Sequence, residues 1–418
     1  MKITAVLVSA AVTVLAIVEA APATPQGFSV PLTLNPNHKR NFKAAIAKVN
    51  RRYPQLNLLE KRHHGHRHHS RKHHPRLHSH PDHIAAGTGV TPVIDVGPDN
   101  EYYGAVLVGT PGQTIHLNFD TGSADIWFPT STCTTDACVA HSRFNTTKSS
   151  TYLKDDGTWH IAYGDGSSAN GILGSDIVDV GGVKVRQTIG LATNESIEFA
   201  QAPEDGIFGL GFNSIETVKG VKTFMDNAIA SKSVALPVVS VFLPSVRMNG
   251  GQGGHYLFGA IDHKRYSGTL TYVPVTKQGY WQVHVNDVKM NGQSLGQSSE
   301  AIIDTGTTLI IVSDAAAAAI HKNIQGAVLS DEEGGWLVPC ALAKSKETFS
   351  FSMGGSDFKI AVADMAWDPL LTDKTTCFSG VQGGQDGLWL LGDMFVKNNY
   401  CVFDHSANPA VGIAPIKY

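Results

Sequence analysis

Two short segments of this 418-residue chain end an apolar run in the same way: Leu117-Asn118-Phe119-Asp120-Thr121-Gly122-Ser123 and Ala301-Ile302-Ile303-Asp304-Thr305-Gly306-Thr307. Each delivers an aspartate into a Thr-Gly turn followed by a hydroxyl. Two carboxylates about 3 Å apart cannot both ionise, so such a pair shares one proton, one member acting as base and the other as acid. A water held between them loses its proton to the ionised Asp as it attacks a carbonyl, and the protonated Asp supports the developing oxyanion. That is peptide hydrolysis without a metal, a cofactor or a covalent intermediate. Gly122 and Gly306 let the backbone turn tightly beside the pair, and the hydroxyls of Ser123 and Thr307 are spaced to bond its outer carboxylate oxygens. A lone Asp-Thr-Gly is ordinary turn chemistry; a doubled one in register is not.

The echo extends to the elements that must hold the aspartates. Ile207-Phe208-Gly209 begins 87 residues after Asp120, and Leu390-Leu391-Gly392 begins 86 residues after Asp304. Two copies at so long a period indicate a gene-doubled, two-lobed enzyme rather than a solenoid, with function in the cleft between the lobes. Short β-rich runs such as Ala105-Val106-Leu107-Val108, Val238-Val239-Ser240-Val241-Phe242 and Tyr280-Trp281-Gln282-Val283-His284-Val285, broken by Gly, Pro and Asn-Gly, predict a mainly antiparallel β protein. Helices are few: Ser313-Asp314 caps residues 315–324, and residues 220–230 form a second candidate. Trp159-His160-Ile161-Ala162-Tyr163-Gly164-Asp165-Gly166-Ser167-Ser168 reads as a hairpin with a Gly-rich tip. It suits a flap that closes over bound peptide; a surface hairpin with a structural Tyr is the plainer reading.

The first 84 residues differ from the rest. Residues 1–20 carry Lys2, an apolar core and a Val18-Glu19-Ala20 exit, the layout of a secretory signal peptide. Ten of the nineteen His lie between His63 and His83, and residues 1–84 hold 13 Lys+Arg against 3 Asp+Glu. Residues 85–418 then hold 20 basic and 33 acidic residues, a net of −13. A basic leader on an acidic body is expected to dock near neutrality and release as carboxylates protonate, which predicts an inhibitory propeptide over residues 21–84. Arg51-Arg52, Lys61-Arg62 and Arg71-Lys72 are candidate processing sites, Lys61-Arg62 preferred. The His tract is a solvated linker, a metal ligand set or a pH sensor. No other apolar run is long enough to span a membrane, so the expectation is an exported or vacuolar monomer that binds neither membrane nor nucleic acid.

Five cysteines in an exported chain suggest disulfides and one leftover. Cys133 and Cys138 can close a small loop and Cys340 and Cys377 a longer one, leaving Cys401 as a buried free thiol in the apolar run Tyr400-Cys401-Val402-Phe403. The sequons at Asn145 and Asn194 fit surface glycosylation.

From about Val90 to the C-terminus the chain resembles the pepsin-family aspartic endopeptidases, and among them the secreted fungal enzymes of the rhizopuspepsin type. The resemblance rests on Glu101-Tyr102-Tyr103-Gly104, Val108-Gly109-Thr110-Pro111-Gly112, both Asp-Thr-Gly segments, Ile126-Trp127, Tyr163-Gly164-Asp165-Gly166-Ser167, residues 205–211 and Leu391-Gly392-Asp393. It implies a bilobal acid-protease fold, with residues 85–270 as one lobe and 271–418 as the other. It makes Asp120 and Asp304 the catalytic pair and Tyr163 the flap tyrosine, whose hydroxyl meets the indole of Trp127. Gly164, Asp165, Gly306 and Thr307 line the substrate groove, Gly122 and Ser123 support the pair, and Asp165 brings tolerance of Lys at the cleaved bond. Protein and peptide substrates and inhibition by pepstatin follow. The alternatives are a catalytically silent relative that only binds peptides or proteins and, from the His tract alone, a metal-binding surface protein. The His-rich insert and Cys401 depart from the family pattern.

Overall fold

A computed structural model describes residues 28–35, 41–53, 93–97, 99–162, 167–251, 253–384 and 387–418. The signal sequence, the Lys61-Arg62 and Arg71-Lys72 pairs, the His tract and the hairpin tip with Tyr163, Gly164 and Asp165 lie outside the described residues.

The chain is mainly β, and each half builds the same device around its aspartate. In the first half, the strand Gln113–Asp120 runs parallel to Gly206–Gly209, pairing Asp120 with Gly209, while Ile126–Pro129 runs antiparallel to that same strand. In the second half, Ser299–Ile303 runs parallel to Leu388–Leu391, and Ile310–Ser313 runs antiparallel to it. The chain therefore leaves each aspartate, turns, and flanks a returning strand on both sides. The two returning strands are the ones that end in the apolar-apolar-Gly signals.

Those glycines are steric requirements. A Cβ on Gly209 would lie 2.3 Å from the carbonyl carbon of Ala124, and one on Gly392 would lie 2.2 Å from the carbonyl oxygen of Thr307. Each glycine lets the returning strand press against the aspartate's own turn, where Leu210 N–H bonds the Asp120 carbonyl and Asp393 N–H bonds that of Thr307.

The first half continues through the long strands Leu153–Ala162, Ser168–Val180 and Val183–Glu195, all in one fourteen-stranded sheet. The second half has its own five-stranded sheet and two four-stranded ones. Strands Val238–Phe242, His255–Phe258, Asn399–Asp404, Ala410–Pro415 and Thr271–Pro274 join the halves within the large sheet. The leader enters this junction: Phe28–Asn35 pairs antiparallel with His255–Phe258 and parallel with Val93–Val96.

Helices are short. Ser313 caps Asp314–His321 with a bond from Ala316 N–H, as its sequence predicts. The second candidate shrinks to Phe224–Ala230, because Thr223 and Asp226 form a reciprocal capping box that fixes the start inside the predicted window. Both disulfides, Cys133–Cys138 and Cys340–Cys377, are formed, and Cys401 is a buried free thiol whose ionisation burial disfavours. Among the described residues no helix is long and apolar enough to cross a membrane.

Candidate active site

Asp120 and Asp304 are both fully buried and carry matched donors. Gly122 N–H donates to Oδ1 of Asp120 at 2.9 Å and the Ser123 hydroxyl to Oδ2 at 2.5 Å. Gly306 N–H donates to Oδ1 of Asp304 at 2.8 Å and the Thr307 hydroxyl to Oδ2 at 2.5 Å. These bonds span two and three positions, so the turn sequence alone specifies them. Their effect is to fix the rotation of both carboxylates.

The two turns face one another. A Cβ on Gly122 would stand 2.6 Å from Oδ1 of Asp304, so the first turn reaches the second lobe's carboxylate and a side chain at 122 would displace it. The turns are also cross-bonded by their threonines. Thr121 N–H donates to the Thr305 hydroxyl at 3.2 Å and Thr305 N–H to the Thr121 hydroxyl at 3.0 Å. The hydroxyls donate onward, Thr121 to the carbonyl of Ile303 at 2.9 Å and Thr305 to that of Phe119 at 2.7 Å. Four buried bonds thus lock the lobes at the aspartates. Sequence reading used the Asp, Gly and terminal hydroxyl of each motif and missed the role of the middle Thr, although its recurrence in both copies was the available signal.

The sequence profile of eukaryotic aspartyl proteases matches residues 101–416. The chain belongs to that family. The protease is 38% identical to rhizopuspepsin-2 of Rhizopus niveus over the whole of both chains, and 36% identical to rhizopuspepsin of Rhizopus chinensis, again over both whole chains. To pepsin A of Callithrix jacchus it is 37% identical over 76% of this chain and 81% of that one.

The protease packs a segment of its own leader beside Asp304. Asn41 caps the helix Phe42–Arg52 by accepting from Ala44 N–H, and Phe42, Ala45, Ile46 and Val49 form a stripe at i, i+3, i+4 and i+7. That stripe, with Tyr53, packs on Leu309, Ile311, Leu337, Trp367 and Phe378 of the second half. Phe42 stacks on Phe378 at 3.9 Å, and its N–H donates to Asp368. Lys48 leans the other way and pairs with Glu101. Just past the helix, the Tyr53 hydroxyl donates to Oδ2 of Asp304 at 3.1 Å and lies so close to Gly122 that a Cβ there would be 2.3 Å away.

The charge asymmetry of the sequence predicted docking by opposite charge. Among the described residues the helix packs its apolar stripe on the second half, and Lys48 adds an ion pair with Glu101.

Tyr280 stands 5.6 Å from Tyr53, its own hydroxyl held protonated by burial and by the charges of Asp304 and Asp120. Trp127 is buried against Trp159 and Phe199 and borders a pocket that Lys48, Glu204 and Ile207 also line. Its expected partner, Tyr163, lies outside the described residues. Asn194 is exposed, while the Asn145 side chain accepts from Thr147 N–H at 3.0 Å. No group of three or more metal-ligating side chains occurs among the described residues.

Proposed function

We propose that this chain is the zymogen of an acid-acting, secreted aspartic endopeptidase in which Asp120 and Asp304 are the catalytic pair. What supports this reading is the twofold set of donors on the two carboxylates. In this reading the hydroxyls hold the outer oxygens, and the inner ones, which also accept the glycine N–H groups, share one water between the lobes. The ionised aspartate takes a proton from that water as its oxygen bonds the peptide carbonyl carbon, and the protonated one donates to the carbonyl oxygen. Collapse of the resulting diol returns a proton to the departing amide nitrogen, and the C–N bond breaks. Gly306, Thr307, Gly164 and Asp165 line the groove in this reading, and Tyr163 meets Trp127 as the flap closes.

The leader is the inhibitor. Residues 1–20 direct export, residues 21–84 form the propeptide, and the lobes comprise residues 85–270 and 271–418. Tyr53 sits where a substrate carbonyl would approach, and the buried stripe contributes roughly 1.5–3 kcal/mol per large side chain to its docking. Acid removes charge from the carboxylates of the acidic body, which weakens the hold on the basic leader. Substrates are proteins and peptides with large apolar residues at the cleaved bond, Lys being tolerated. The mature enzyme is a glycosylated monomer, inhibited by pepstatin.

The test is digestion of denatured haemoglobin at about pH 3, with and without pepstatin, by the secreted chain and by Asp120→Asn and Asp304→Asn. Pepstatin-sensitive cleavage by the parent alone is expected. A folded parent that binds pepstatin yet cuts nothing would establish the silent peptide-binding alternative.

A further inference from the structure

A second carboxyl pair stands five residues beyond Asp120, outside the chemistry described so far. Asp125 is 5% exposed and sits between the Asp120 turn and the strand Ile126–Pro129, its carbonyl accepting from Gly209 N–H at 3.0 Å. Its side chain collects donors from three directions. Trp159 Nε1–H donates to Oδ1 at 3.2 Å, Thr217 N–H reaches both oxygens at 3.3 and 3.2 Å, and the Thr217 hydroxyl also donates to Oδ1. Glu216, the residue before Thr217, buries its Oε1 with no hydrogen-bond partner among the described residues and lies close enough to Asp125 to feel its charge. Two carboxylates so placed satisfy one another when one proton lies between them.

Trp159 connects the pair to a neighbouring strand. It lies on Leu153–Ala162, the strand that leads into residues 163–166, and packs on Trp127 at 5.6 Å. Gly190 makes room for it, since a Cβ there would lie 2.7 Å from the indole. The ring is thus held between Gly190, Trp127 and the Asp125 carboxylate, and only the last of these holds its N–H.

We infer that Asp125 and Glu216 share a proton, and that this pair positions the strand Leu153–Ala162 against the Asp120 turn, through Trp159, only while the proton is held. The charged groups that Glu216 faces are Asp125 and, from the start of the helix Phe224–Ala230, Asp226, both acidic. Once Glu216 ionises, it is repelled from Asp125. Thr217, next in the chain, supplies two of Asp125's donors and is drawn off with it. Trp159 then loses the partner that fixes its N–H. Burial first, then the charge of Asp125, push the Glu216 carboxyl up to about 8. A raised carboxyl stabilises fully below the ordinary value of 4.5 and loses that contribution as pH rises through the folded value, so the latch holds in acid and opens toward pH 8. This rests on the acid-protease reading only for its purpose, and its test uses no peptide hydrolysis.

The experiment takes the full chain carrying Asp304→Asn, which prevents self-cleavage, and compares it with the same chain bearing Glu216→Gln or Asp125→Asn. Thermal unfolding and the near-ultraviolet tryptophan circular-dichroism band are followed at several points from pH 4 up to the value of about 8. The parent's Tm should fall across that window and its tryptophan band change with it. Glu216→Gln supplies an N–H donor at every pH, so its fall should be markedly shallower and its tryptophan band constant. Asp125→Asn removes the repulsion and should flatten the same limb. Superimposable pH dependence in all three chains overturns the inference. So does failure of Glu216→Gln to fold at the acid end, where a carboxamide should replace a protonated carboxyl without loss.

Discussion

The Tyr53 hydroxyl donates to Oδ2 of Asp304 at 3.1 Å, across 251 positions of sequence, and the same oxygen accepts from Thr307. In the proposed zymogen, one leader side chain therefore takes the place that a substrate would need. Removing only that hydroxyl tests it. A synthetic peptide of residues 28–53 should inhibit the mature enzyme, and its Tyr53→Phe version should bind about tenfold more weakly, as loss of one bond to a charged group implies. Equal inhibition constants would show that the apolar stripe alone blocks the cleft.

Lys48 and Glu101 form an ion pair between the helix Phe42–Arg52 and the body. Lys48→Met keeps the apolar stem and removes the charge, so the pro-form should convert to mature enzyme at a higher pH than the parent. The onset of self-cleavage along a pH series, read on a gel, decides it. An unchanged onset would assign acid release to other carboxylates.

The Thr121–Thr305 cross-bonds predict a defect that is symmetric between the lobes. Thr121→Val and Thr305→Val each keep the shape and remove a hydroxyl that both donates and accepts in a buried site. Each should cost about 2–4 kcal/mol in stability, since each strands a partner N–H and a carbonyl. Combined, the two should cost less than the sum, because they dismantle one network. Strict additivity in denaturant unfolding would mean that the lobes are not coupled there.

His405 predicts a liability in acid. It is partly buried, its ring against Trp281 at 4.7 Å and Phe212 at 5.8 Å and its Nε2 sealed from solvent, and this desolvation lowers its imidazole to about 3. The unfolded chain takes that proton near 6.5, so stability is fully present above 6.5 and falls as pH drops toward about 3. The slope is at most about 1.4 kcal/mol per pH unit. His405→Phe should therefore raise Tm more at pH 4 than at pH 7; an equal rise at both would indicate packing alone.

Asp165 carries the specificity prediction. A carboxylate can meet a substrate ammonium, so Asp165→Thr should lose cleavage after Lys and keep cleavage after Phe or Leu. Equal loss of kcat/KM on both substrates would sink the assignment.

Chemistry was legible where it is local. The donors on Asp120 come from residues two and three positions away and repeat identically at Asp304, so the motif spells out its own hydrogen bonds. The helix at Ser313 and the Cys133–Cys138 loop are local in the same sense. The docking face of the helix Phe42–Arg52 was not legible, because charge can be counted along a chain, whereas the face a helix turns to a groove is fixed by what already lines that groove.

By itself, the sequence determined the paired aspartates, their bracing turns, the β-rich duplicated plan and the disulfides, since each follows from short-range spacing or from a repeat visible in one dimension. Tertiary structure alone decided that Thr121 and Thr305 bond across 184 positions, that Gly209 and Gly392 face backbone, that Asp125 holds Trp159, and that Tyr53 reaches Asp304. Each of these contacts joins segments brought together only when the sheets close. The free energy that selects them is the burial of the whole core and the pairing of every polar group inside it, which no local stretch of the chain contains.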